Sequence, residues 1–317
     1  MKTILVTGVG GAAGVSVLSS LARSDRCALI GVDSDMHARG QFIASQFHVI
    51  PPASDARFIP SLLGLSKGCD ALFCTVDEEL PQVAAAKLDF DCEVFVPDRE
   101  SVENCLDKLS AARILRQSGI ASPMTWPYEE REIALRMLGF PLVVKPVRGR
   151  GGAMAFKVTN SRALNAIEQL TDEKLLVQEY LRGPEFTADV LADEHAELKR
   201  LVVRERVRTK GGVTTVGRTV DPTPFLKPVT KVLAALDLKY ISMIQFRSDP
   251  PRVMEIGPRP AGSMILSTCA GVNMPLMLLE HDYDHGPIAD YQTDAWFYRH
   301  DGALDEWHSV SPMRRLA

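Results

Sequence analysis

No apolar run in this chain reaches the roughly 18 residues that a membrane-crossing helix needs. Its six cysteines, Cys27, Cys69, Cys74, Cys92, Cys105 and Cys269, form no CxxC pair. That scatter excludes a CxxC redox or metal motif and predicts reduced thiols in a cytoplasmic protein. A P-loop is absent, because G-x-x-x-x-G-K-[ST] occurs nowhere. Internal repeats and low-complexity tracts are absent as well. The N-terminus, Met1-Lys2-Thr3-Ile4-Leu5-Val6, begins as a strand and quickly reaches glycines, without the apolar core and cleavage site of a signal peptide. Strong charge of either sign is lacking too. A net charge of −4 does not suggest a nucleic-acid binder.

What remains is an ordinary globular composition, 46% hydrophobic and 24% charged, over 317 residues. That length suits two or three domains. The first hundred residues alternate short apolar strands (Thr3–Thr7, Leu29–Asp33, His48–Ile50, Ala71–Cys74, Val94–Val96) with helical runs (Val15–Ala22, Ile59–Leu65, Pro81–Lys87). This rhythm predicts a parallel sheet with helices on both faces. A polar stretch at 98–106 marks a boundary, and Asp107–Gly119 reads as an amphipathic helix stopped by glycine. A second α/β region follows. Its expected strands are Leu142–Lys145, Phe156–Val158, Leu175–Glu179, alternating segments within Glu185–Thr219, Tyr240–Arg247 and Arg252–Ile256. Its expected helices are Arg162–Leu170 and Val229–Leu236.

Gly8-Val9-Gly10-Gly11-Ala12-Ala13-Gly14 follows a strand and opens a helix, and Asp33 ends the next strand about 20 residues later. That fits a dinucleotide-binding turn, in which the helix N-terminus attracts phosphate. The third glycine sits one residue late for G-x-G-x-x-G. Close helix–strand packing without any nucleotide explains the same glycines equally well. A hydride-transfer site is not evident elsewhere in the chain.

The second half carries a more specific series. Lys145 ends a very apolar strand and is followed by Arg148-Gly149-Arg150-Gly151-Gly152. An ammonium beside a flexible glycine loop can wrap a triphosphate. Read blandly, the lysine snorkels from a strand end. Glu179 ends another strand, and Glu185 stands six residues on. These acids suit an adenine edge and ribose hydroxyls, or are simply exposed at a loop. Glu255 ends a third strand in Val253-Met254-Glu255-Ile256-Gly257-Pro258-Arg259. A strand-end carboxylate suits Mg²⁺, and an arginine just beyond can grip phosphate or carboxylate. A strand-end ion pair is the plain alternative.

The order Lys108, Lys145-Pro146, glycine loop, Glu179-Tyr180-Leu181, Glu185, Gln245, Glu255-Ile256-Gly257-Pro258-Arg259 resembles the ATP-grasp superfamily over nearly the whole chain. It is most similar to the carbamoyl-phosphate synthase large-subunit-like branch of carboxylate–amine ligases. The resemblance implies an α/β protein, α+β in its ATP-grasp part. Residues 1–105 would form a Rossmann-like pre-ATP-grasp domain that usually binds no dinucleotide. Residues 106–180 would form a small lobe with a glycine-rich lid, 181–290 a large lobe with the metal and phosphate site, and 291–317 a tail. It also implies ATP and Mg²⁺ as cofactors, with Mn²⁺ able to stand in. Lys108 and Lys145 would contact phosphates under a lid of Gly149, Gly151 and Gly152. Glu179, Tyr180 and Leu181 would bind adenine, Glu185 ribose, and Gln245 and Glu255 the metal. Arg259 and Lys145 would act in phosphoryl transfer.

Phosphoryl transfer needs mainly positioning and charge neutralisation, which such a set supplies. The expected partners are a small-molecule carboxylate and amine, not nucleic acid or membrane, with a homodimer as the default oligomer. One departure stands out: Gly257 replaces the asparagine of the pattern E-[IVM]-N-P-R, so that either one metal site is weakened or water fills the missing contact.

Arg204, Arg206 and Arg208 alternate in a basic strand and would share one face. Arg204 is the expected contact to phosphates or a carboxylate substrate, under a mobile Gly211-Gly212 loop; a solvated face is the bland reading. His281 and His285 have HxxxH spacing but no firm third ligand, which favours a polar helix end over zinc. Asp77-Glu78-Glu79 reads as a helix N-terminus, in a loop that can also face the cleft. Two further functions fit parts of this evidence. One is an ATP-binding protein with weak or lost catalysis, regulatory or a subunit; the other is an NAD(P)-dependent oxidoreductase.

Overall fold

The structure, a computed structural model, describes residues 1–149, 154–283 and 286–299 and the backbone of 307–310. Arg150, Gly151, Gly152 and His285 lie outside the described residues, as does most of the tail.

Five strands open the chain: β1 (Lys2–Thr7), β2 (Cys27–Asp33), β3 (Gln46–Val49), β4 (Ala71–Phe73) and β5 (Glu93–Val94). They pair in parallel in the order β3-β2-β1-β4-β5. The central strand is covered on both faces, so β1 is apolar and buried from Ile4 to Val6. In β1, Ile4 and Val6 enter one core with Leu18, Leu21 and Phe73. Leu5, between them, enters the opposite core with Val32, Leu62 and Leu72. That alternation is the period of two of a strand buried on both sides. The strand order reverses between β1 and β4, so the loops after these two strands diverge and leave a crevice.

The next four strands, β6 (Thr125–Pro127), β7 (Leu142–Pro146), β8 (Phe156–Val158) and β9 (Leu175–Glu179), form an antiparallel sheet in the order β6-β9-β7-β8. Tyr128, Ala134, Leu142, Val144, Leu164 and Val177 fill its core beneath two short helices. The third sheet contains β10 (Glu185–Ala192), β11 (Leu198–Lys210), β12 (Val213–Thr219), β13 (Tyr240–Arg247), β14 (Arg252–Gly257), β15 (Trp296–Arg299) and β16 (Trp307–Val310). Its order is β14-β13-β10-β11-β12-β15-β16.

The helix Thr223–Leu236 covers one face of this large sheet, burying Phe225, Val229, Val232 and Leu233 against Val190, Leu201 and Phe246. Each such side chain contributes about 1.5–3 kcal/mol. The helix begins six residues before the expected Val229 and runs through Pro228. Phe225 is buried against the sheet one turn before the proline, and that packing outweighs the backbone bond that proline cannot make. Cys105, Leu115 and Ile120 join the same core, so the helix Lys108–Gln117 packs under the large sheet.

The opposite face of the large sheet meets the N-terminal domain. Leu191, Val202, Ile241 and Met243 share a core with Val6, Leu18, Met264 and Leu278. The two units are therefore welded by apolar contact, and the crevice of the first sheet opens onto the cleft-facing surface of the third.

Candidate functional site

The three sheets enclose a cleft of about 790 Å³. Its floor is one row across the large sheet. Register places Glu255 opposite Gln245, Gln245 opposite Thr187, and Thr187 opposite Arg204. Residues in such a row share a face and stand about 4.8 Å apart from strand to strand. Glu255 reaches this face through a β-bulge. Val253 pairs with Phe246 but Glu255 pairs with Gln245, which leaves Met254 as the extra residue.

Two lysines face the carboxylate end of the row. Lys145 stands near the end of β7, and Lys108 begins a helix capped by Asp107, whose side chain accepts the Leu109 and Ser110 N–H groups. Burial lowers both lysine pKa values, while the nearby Glu255 carboxylate raises them again in part. Burial also lowers that of Arg206, which Glu185 partly offsets. Such buried cations gain most from a ligand that brings negative charge. Lys108 Nζ donates to the Gly149 carbonyl at 2.6 Å, linking it to the expected lid. Gly149 has φ +121° and open space around it, a conformation that suits glycine.

At the exit of β9, Glu179, Tyr180 and Leu181 line the cleft. The Glu179 carboxylate is already engaged. Arg252 Nη1 and Nη2 donate to it at 2.6 Å each, and the Met124 N–H donates at 3.1 Å. The Arg252 hydrogen bonds hold its pKa below the usual carboxylate range. Glu179 thus braces the end of β9 against β14. Lys157 Nζ lies 4.4 Å over the Tyr180 ring. Glu185 pairs with Arg206 Nε at 2.7 Å and Arg247 Nη1 at 3.6 Å.

Two arginines are oriented by acids that sequence reasoning did not connect to them. Arg259 donates from Nε and Nη2 to Asp77 at 2.5 and 3.1 Å, a pair that joins the large lobe to the loop after β4. Arg204 is 1% exposed and donates from Nε and Nη2 to Asp189, at 2.9 Å each. Ser267 Oγ donates to the same carboxylate at 2.6 Å. The acidic cluster at 77–79 hinted at the first partner; only strand register reveals the second. The expected common face of Arg204, Arg206 and Arg208 does not form. Register shifts on either side of Arg208 turn it to solvent, and Thr209 lines the cleft instead.

Gly257 lies opposite Met243, and a Cβ there would meet Met243 Cε at 2.9 Å and Cγ at 3.0 Å. A methionine therefore fills the room an asparagine would need. His281 Nε2 lies 3.1 Å from Glu93 Oε2. Among the described residues no group of three or more His, Cys, Asp or Glu could hold a metal.

The glycine turn is built for packing. A Cβ on Gly14 would sit 2.4 Å from the Gly8 carbonyl oxygen. Asp33 spends its oxygens on the loop, accepting the Gly10 N–H at 2.7 Å and the Asp35 N–H at 2.9 Å. It is thereby tied to the protein rather than held out for a ribose. Sequence reasoning did not anticipate that Gly8, Gly11, Ala12 and Ala13 would line the same cleft as Arg204, Arg206 and Arg259. No helix among the described residues is long and apolar enough to cross a membrane.

Known proteins resemble parts of this sequence and share its fold. Residues 105–218 match a RimK-like ATP-grasp domain, and 171–297 match the ATP-grasp family of a biosynthetic pathway with the Ter operon. The carbamoyl phosphate synthase large chain of Clostridium acetobutylicum is 28% identical over 202 residues, which is 58% of this chain and 18% of the synthase. The D-alanine–D-alanine ligase of Ectopseudomonas mendocina is 33% identical over 95 residues, 28% of this chain and 30% of the ligase. The chain thus spans well under half the length of these curated relatives. N5-carboxyaminoimidazole synthetase from Staphylococcus aureus, solved with ADP, superposes with a TM-score of 0.74 at 16% identity, covering 93% of this chain and 81% of that one. The matched residues, 105 to 297, run through the elements that enclose the cleft, and this region carries an ATP-grasp domain.

Proposed function

We propose that this protein is an ATP- and Mg²⁺-dependent ligase that joins a small carboxylate to an amine. The supporting observation is convergence: Lys108, Lys145, Glu185, Gln245, Glu255 and Arg259 arise on separate elements and line one cleft. Gln245 and Glu255, paired in register, offer an amide oxygen and a carboxylate. Mg²⁺ is usually held by one or two carboxylates with substrate phosphates completing its shell, so this donor set fits the ion. Bound there, Mg²⁺ would neutralise phosphate charge and polarise the γ-phosphorus.

The remaining work falls to the chain's own side chains. Lys108 and Lys145 hold the phosphates beneath Gly149. The backbone of Glu179, Tyr180 and Leu181 meets adenine, and Glu185 the ribose. A carboxylate oxygen attacks the γ-phosphorus and ADP leaves, giving an acyl phosphate. The amine then attacks the carbonyl carbon, phosphate leaves with the C–O bonding pair, and the amine proton passes to solvent. Arg259, held in place by Asp77, faces the phosphoryl group in flight. Arg204 meets the carboxylate substrate. In-line positioning and charge neutralisation account for most of such catalysis. All six cysteines are unpaired, which suits the cytoplasm.

The test is ADP release from ATP and Mg²⁺ with divided pools of amino acids and small carboxylates. Pool-dependent release that vanishes in Glu255→Gln supports the ligase. ATP binding without release from any pool overturns it in favour of a nucleotide-binding protein. The Gly257–Met243 packing is the feature that would favour that second reading.

A further inference from the structure

The floor of the cleft carries two polar groups that nothing among the described residues satisfies. Thr187 is 1% exposed and its Oγ1 has no hydrogen-bond partner among the described residues. Arg204 is equally buried, and its Nη1 is likewise unpartnered while Asp189 holds Nε and Nη2. The two residues are register partners on β10 and β11, and both line the cleft. A buried donor left unmade is costly, so a pair of them calls for a ligand.

The same cleft is lined by the N-terminus of the ten-residue helix Ala12–Leu21. Gly11 caps it with no side chain, and its first turn contains no acid. Its opening N–H groups are thus left for an acceptor, at the positive end of the helix. Ala12 and Ala13 line the cleft together with Thr187 and Arg204. The helix start packs on Gly262, where a Cβ would lie 3.2 Å from Ala12 Cβ and 3.8 Å from Val213 Cγ2. That contact brings the helix start to the Gly211–Val213 turn that ends β11.

From these groups we infer that the cleft holds a second anion subsite, formed by Thr187 Oγ1, Arg204 Nη1 and the N-terminus of helix 12–21. Its ligand is a second carboxylate or phosphate on the acid substrate, which is therefore a dianion and not a simple monocarboxylic acid. The inference rests on the ligase reading for which group is activated, but the subsite itself is a matter of binding.

The experiment compares α,ω-dicarboxylates of three to six carbons, the matched ω-phosphono acids and the matched monocarboxylates. ADP release is read with an amine pool present. Binding to the protein loaded with ADP and Mg²⁺ is read separately by thermal shift. Two variants probe the subsite without touching the Arg204–Asp189 pair. Thr187→Val removes the hydroxyl at constant volume. Ala12→Pro removes one helix N–H at a first-turn position where proline is tolerated, and Gly11 already has the extended ψ of 160° that precedes proline.

The expected result is at least tenfold tighter binding of one dianion class than of its monoacids. Each variant should shrink that ratio about fivefold or more. Preference for phosphono acids identifies the second anion as phosphate, and preference for diacids as carboxylate. Equal binding of monoacids and dianions overturns the inference, as does a ratio unchanged in both variants, or no binding by any acid. Variant-sensitive dianion binding without ADP release supports the subsite and overturns the ligase reading instead.

Discussion

Glu79 is a carboxyl group that should cost the protein stability at neutral pH. It is 3% exposed, at the start of the helix Leu80–Ala85. Burial pushes its pKa up to about 7 from the usual 4.5, although hydrogen bonds from Thr7 Oγ1 and the Val76 and Thr75 N–H groups, and the Arg259 charge, pull the other way. All three hydrogen bonds converge on Oε1; those from Thr75 and Val76 measure 2.8 and 2.9 Å. Above pH 4.5 the unfolded chain gives up this proton, whereas the folded protein keeps it until about 7. The unfolded state then binds fewer protons, so stability falls as pH rises through that window and levels off above it. A displacement of this size corresponds to about 3 kcal/mol.

Glutamine at 79 keeps a carbonyl oxygen for the three donors and cannot titrate. Glu79→Gln should therefore match the natural protein near pH 4.5 and exceed it by about 3 kcal/mol at pH 8. Urea unfolding of both proteins between these limits measures the difference, in which the other titrating groups cancel. A difference that does not change with pH would refute the reasoning. It would mean that the three donors and Arg259 keep Glu79 ionised despite its burial.

Three further outcomes follow from named contacts. Arg204→Met strands the buried Asp189 and should lower unfolding free energy by about 3–5 kcal/mol in denaturant titration. Gly14→Ala drives a methyl group toward the backbone of Gly8 and Val9 and should cost about 1–3 kcal/mol, with NAD(H) and NADP(H) showing no binding to either protein by calorimetry. Arg252→Ala should cost about 1–2 kcal/mol, at the low end for a charged pair because both side chains are about a quarter exposed. Glu179 has a depressed pKa through Arg252, so its contribution is present above the unfolded value and is lost as pH falls through the folded one. In Arg252→Ala that acid-side loss of stability should shrink.

Much of this protein was legible in one dimension. Strands such as Phe156–Val158, Leu175–Glu179 and Tyr240–Arg247 fall where apolar runs and turn residues place them, because their side-chain pattern is local. The helix 223–236 was truncated in sequence because proline is a local signal, while the burial of Phe225 that overrides it is not. The order of lysines, acids and arginines along the chain was enough to identify the family, since that order fixes which strand ends carry which charge.

The partners of those residues were not legible. Asp77 is 182 residues from Arg259 and Glu179 is 73 from Arg252, so neither pairing leaves a periodic trace. The bulge at Met254 and the shifts around Arg208 decide which side chains enter the cleft. A one-residue change of register reverses the face of everything beyond it. Sequence alone determined which chemical groups the protein possesses and the fold that carries them. Tertiary structure decided which of them are already neutralised by a neighbour and which, like Thr187 and one nitrogen of Arg204, remain buried without a partner among the described residues. That distinction depends on distances between strands that only folding brings together.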